Sequence, residues 1–78
     1  MRKKERKVVL TFATTMAAMH MEQCCKMNGL PGRLIPVPTA ITAGCGLAWT
    51  VYPEEKEQVL AAMEKEGLEP EGIFILDI

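Results

Sequence analysis

Apolar residues in this chain gather into short runs separated by small and polar residues. Val8–Phe12 is a nearly uninterrupted β-branched and aromatic run, as expected of a strand covered on at least one face. Thr14 and Thr15 follow, and either hydroxyl can cap a helix by accepting an orphan backbone N–H. That helix is expected to run to about Met27, where Asn28-Gly29 supplies a left-handed stop and Pro31 lies just beyond. Arg33–Val37 reads as a second strand, confined to a sheet edge by Pro36 and Pro38. A loop of small residues, Thr39–Gly46, leads into a third strand, Leu47–Tyr52. Pro53 suits a first helical position, and Glu54, Glu55 and Glu57 favour the positive end of that second helix. Its apolar stripe is Val59, Leu60 and Met63, Gly67 ends it, and Ile73–Ile78 forms the last strand.

The order βαββαβ predicts an α+β fold of the ferredoxin-like kind, with two helices on one face of a four-stranded antiparallel sheet. The first and third strands are expected side by side at the centre, parallel to each other, with the second and fourth outside. On that reading Cys45, the basic N-terminus and the end of the first helix share one side of the molecule. Trp49 is expected in the core beneath the helices. The other sheet face is expected to be open, a surface through which Val8, Leu10, Ile73 or Ile75 would form a homodimer if they point away from the helices.

Composition narrows the class. A chain of 78 residues with 49% apolar and 24% charged residues is long enough for one small core and is not a disordered polymer. Aromatic content of 5% is too low for a base-stacking surface, so nucleic acid is not an expected partner. The net charge of −1 conceals an asymmetry: residues 1–7 carry five basic groups against Glu5, and the rest carries four against nine acidic groups. The chain therefore divides into a basic arm, 1–7, and a single domain, 8–78. The arm reads as a solvated extension that guards the first strand from foreign pairing. No apolar run approaches the roughly 18 residues of a membrane span, and threonines break the run after the basic start too often for an export signal. Three cysteines, an odd number, fit a reducing compartment, so the expected location is the cytoplasm.

Candidate chemistry centres on Thr42-Ala43-Gly44-Cys45-Gly46-Leu47. A thiol between two glycines is open to approach, and glycine lets backbone N–H groups converge on a thiolate. An ordinary thiol with a pKa near 8.5 is only a few per cent ionised at neutral pH, so such help matters. The same segment also reads as a tight loop in which a small residue merely fits. Arg33 starts the adjacent strand, and the basic arm Arg2–Lys7 is expected to add positive potential. His20 is the sole histidine and lies on the first helix, so no base is paired with Cys45. Met16, His20 and Cys24 recur at helical spacing and suit a soft metal, but methionines filling a core with a histidine at its rim explain the pattern better, and no metal site is expected. Cys24 and Cys25 are candidate resolving thiols for an oxidised Cys45.

The block Gly32-Arg33-Leu34-Ile35-Pro36-Val37-Pro38, with Ile41 and Ala43-Gly44-Cys45-Gly46-Leu47-Ala48-Trp49, resembles the selenium/sulfur carrier-like family of small bacterial proteins. The similarity extends over nearly the whole chain. It implies that Cys45 holds sulfur or selenium as a persulfide or selenenyl-sulfide, supported by Arg33, Gly44 and Gly46. Donor and acceptor proteins are the partners it implies, with no resident cofactor, and it points to a carrier more than to an enzyme with its own turnover. The rival reading is a non-catalytic regulatory or assembly module that binds a partner through its sheet. The first helix, with Cys24-Cys25, is not part of the motif.

Overall fold

The computed structural model describes residues 4–39, 41 and 46–78. It contains β1 (Arg6–Thr11), α1 (Thr15–Asn28), β2 (Arg33–Pro36), β3 (Leu47–Val51), a short 3-10 turn (Pro53–Glu55), α2 (Lys56–Lys65) and β4 (Gly72–Asp77). Thr14 caps α1, its hydroxyl accepting from the Ala17 N–H at 3.1 Å. Gly29 ends the helix at φ 64°, a left-handed conformation that costs glycine nothing. Strand β1 starts two residues before the apolar run, so Arg6 and Lys7 belong to the sheet and not to a loose arm. The Glu5 and Ile78 backbones exchange two hydrogen bonds of 2.9 Å, extending that pairing.

The four strands form one antiparallel sheet in the order β2-β3-β1-β4, an α+β architecture. β1 and β3 are neighbours at the centre but run antiparallel, with Val8 opposite Val51 and Thr11 opposite Ala48. The expected parallel pair is therefore corrected. The helical return makes β2 run with β1, and the β2–β3 hairpin then reverses the chain. β3 accordingly starts where β1 ends, and α1 finishes at the opposite end of the sheet.

Both helices cover one face. Val8, Leu10, Trp49 and Val51 from the sheet pack with Ala18, Met21 and Cys25 from α1 and with Val59 and Met63 from α2. Trp49 takes its expected place, only 4% exposed, and Leu60 packs at the margin of the same core. The second face is not open at its centre. Val9 and Ala48 are fully buried there beneath Ile41, with Ile35, Val37, Phe74 and Leu76 around them. Val8 and Leu10 point into the helix-side core, so the expected dimer face built on them does not exist.

Candidate functional site

The motif residues Gly32 and Arg33 owe their positions to Trp49. The Trp49 indole N–H donates to the Pro31 carbonyl at 3.3 Å, drawing the chain entering β2 tightly against β3. Gly32 sits there at φ 110°, and a Cβ on it would collide with the Trp49 ring and lie 2.7 Å from the Thr50 carbonyl oxygen. Only glycine fits that close approach. The alternation of the strand then sends Leu34 toward the core with Trp49, and Arg33 toward the other face, opposite Thr50.

Arg33 opens onto a cleft of about 630 Å³, whose lining includes Glu5, Lys7, Ile35, Thr50, Tyr52 and Glu55. The Lys7 ammonium stands over the Tyr52 ring, 5.1 Å from its centroid, a cation–π contact. The Tyr52 hydroxyl donates to Glu5 Oε1 at 3.4 Å, and the Glu5 carboxylate pushes the phenol pKa up. The Tyr52 backbone N–H donates to Glu55 Oε1 at 2.9 Å, which ties the end of β3 to the turn that follows. Both carboxylates lining the cleft thus have a hydrogen-bond partner in Tyr52, Glu5 in its hydroxyl and Glu55 in its backbone N–H. The lining combines the cations Lys7 and Arg33 with the apolar Ile35.

The segment between Pro38 and Gly46 is held at its base. The Val37 N–H donates to the Gly46 carbonyl at 3.0 Å, the Ile41 N–H donates to the Pro38 carbonyl at 2.9 Å, and the Ile41 side chain is buried on Val9 and Ala48. Gly46 itself is exposed. Cys45 and Gly44 lie outside the described residues. Arg33 starts β2, three residues before Pro36, which pairs with Leu47. At roughly 3.4 Å per residue, Arg33 is about 10 Å along the sheet from the β3 end that Gly46 adjoins. Arg33 and Ile41 share one sheet face but sit toward its opposite ends. Of the cleft residues, Lys7 was expected only as the end of the basic arm, and Tyr52 was not expected to contribute. The signal was available, since an alternation carried back from Val9 places Lys7 on the same face.

The remaining two cysteines are enclosed. Cys24 is 3% and Cys25 1% exposed, both as free thiols. Burial pushes the Cys25 thiol up to about 11, with the neighbouring Cys24 adding to the shift. Cys24 is raised as well, by burial and by the Glu66 carboxylate, against a lowering hydrogen bond from Asn28. Asn28 Nδ2 lies 3.7 Å from the Cys24 sulfur and donates to the Cys24 carbonyl at 2.8 Å. Both thiols lie in the C-terminal half of α1, toward the end of the sheet away from the start of β3. They do not share a side with the Gly46 end, as sequence reading expected. Met16, Met19, Met27 and His20 are exposed, while Met21 is buried. The α1 methionines are thus mostly surface residues, not core filling. Among the described residues no His, Cys, Asp or Glu group has metal-ligand clustering, and no helix is long and apolar enough to cross a membrane.

Sheet and cleft define a small α+β protein whose third cysteine, Cys45, lies between two glycines in the sequence. A family model described as "Putative Se/S carrier protein-like" matches residues 7–75, and the chain belongs to that family. No curated protein and no solved structure matches it.

Proposed function

We propose that the protein carries sulfur or selenium on Cys45 between a donor and an acceptor protein, in the reducing cytoplasm. Two things support this: membership of the carrier-like family, and the enclosure of the other two cysteines. That enclosure is the observation that carries the assignment to Cys45. Cys24 and Cys25 are buried and held protonated, so neither is a competent nucleophile, and the chain has three cysteines in all. The Cys45 thiolate attacks the terminal chalcogen of a donor persulfide or its selenium counterpart. A new sulfur–chalcogen bond forms at Cys45, the donor bond breaks, and the donor cysteine leaves as thiolate. An acceptor thiolate then takes the chalcogen in the same way, with no net oxidation. Cys24 and Cys25 act as resolving thiols only if α1 opens. Lys7 and Arg33 would receive an acidic segment of a partner protein. We also read the β2-β3-β1-β4 order, with both helices on one face, as a ferredoxin-like arrangement. The sheet-face binding module is less well supported, because the centre of that face is buried under Ile41.

The test is intact mass without reductant, after incubation with a cysteine desulfurase and either cysteine or selenocysteine, so that the donor presents a persulfide or its selenium counterpart. One added sulfur or selenium, removed by reductant and absent from Cys45→Ala, is the expected result. Equal loading of the variant, or none of the wild type, would sink the proposal.

A further inference from the structure

A methionine that fills a core is buried, and two of the methionines in the first half of α1 are not. Met21 is fully buried, whereas Met16 is 81% and Met19 57% exposed. His20 is exposed as well, and among the described residues its imidazole has no hydrogen-bond or ion-pair partner. Core packing therefore explains Met21 and leaves the two thioethers near the histidine without a structural task.

The three exposed side chains share one face. At about 3.6 residues per turn, Met19 lies about 60° to one side of Met16 and His20 about 40° to the other. Both stand one turn further along, at the i+3 and i+4 spacings that bring Cβ atoms within about 6 Å. Helical side chains lean toward the N-terminus, so Met19 and His20 lean toward Met16. All three border one surface depression of about 470 Å³, together with Glu22, Gln23 and Lys26. The i, i+4 spacing is the one at which two histidines of a single helix hold one zinc ion.

The donors decide the ion. Two thioethers and an imidazole are uncharged, soft to borderline ligands, which favour Cu(I) over the divalent ions that carboxylates take. No thiolate joins them. Cys24, one turn beyond His20, is 3% exposed, and its sulfur lies 3.7 Å from Asn28 Nδ2. Glu22 sits about 120° round the helix from Met16, and exposed Lys26 stands one turn beyond it, so the charges bordering the depression balance. A soft monovalent cation is what such a neutral donor set accommodates.

We propose that Met16, Met19 and His20 form a surface site for one Cu(I) ion, bound through two thioether sulfurs and one imidazole nitrogen with no change of oxidation state. The ligands already stand on a capped helix of 14 residues, so binding has only side chains to order. The site uses neither Cys45 nor the sheet, and it stands or falls apart from the carrier reading.

The test is an anaerobic NMR titration of the full chain carrying Cys45→Ala, with Cu(I) supplied as its acetonitrile complex. The substitution keeps the thiol of the carrier reading from competing for the ion. One equivalent should bind, moving the Met16 and Met19 methyl resonances and the His20 ring resonances while the Met21 methyl stays in place. Met16→Leu, Met19→Leu and His20→Gln should each weaken binding about tenfold or more, the least that even a supporting partner of a metal ligand is worth. These positions are exposed and the replacements are good helix formers, so the fold is kept. Met27→Leu should change nothing, because Met27 is 78% exposed but has Gln23 and buried Cys24 one turn before it, not a thioether or an imidazole. Absence of a one-to-one complex, binding indifferent to the three variants, shifts at Met27 as large as those at Met16, capture of the ion by Cys24 or Cys25, or displacement by equimolar Zn(II) would each overturn the proposal.

Discussion

The two faces of the sheet do different work. On the helix side, Leu10, Met21, Trp49, Val59 and Met63 make a sealed core that encloses two cysteines and raises their pKa values. On the other side a small cluster under Ile41 covers the centre, and the margin is a charged cleft around Lys7, Arg33 and Tyr52. One face therefore supplies most of the stability and silences its thiols. The other, with a smaller apolar cluster, leaves room for charged side chains.

That contrast is open to attack, beginning with the strongest effect. Met21→Ala, at a fully buried position, should lower unfolding free energy by about 4 kcal/mol, and Ile41→Ala by only about 2 kcal/mol, in urea titrations. Equal losses would mean that the second face carries as much of the fold as the first. Gly32→Ala should cost about 3 kcal/mol, because φ 110° and the walls of Trp49 and Thr50 leave no place for a methyl group. A milder loss would show that β2 can move off β3.

The enclosed thiols predict an alkaline weakness. Cys25 titrates near 11 in the folded chain against an ordinary value of 9.0. Below pH 9 both folded and unfolded chains keep the proton and the stability is whole. Between pH 9 and 11 the unfolded chain releases it first, so stability falls as pH rises, by about 2 kcal/mol from this group. Unfolding curves across that window should be flatter in Cys25→Ala. Last and smallest, Arg33→Gln on the exposed margin should change stability by less than about 0.5 kcal/mol. Its effect should fall on the rate of chalcogen loading, measured by mass against time.

Much of this was legible in the residues. The capping threonine, the Asn28-Gly29 stop, Pro53 and the apolar runs placed every helix and strand within two or three residues of its observed bounds. Those signals act between near neighbours, through hydrogen bonds and steric limits that need no knowledge of the rest of the chain. The block around Gly32 and Cys45 pointed to the carrier family, and the match over residues 7–75 established it. The tertiary structure alone corrected the direction of β3 against β1, which moved the enclosed Cys24 and Cys25 away from the Gly46 end. It also brought Lys7, Arg33 and Tyr52 together, closed Ile41 over Val9, and set β4 at the sheet edge among the described residues. Each of these depends on which distant strands pair and in what register, and that is decided by packing the whole chain around one core.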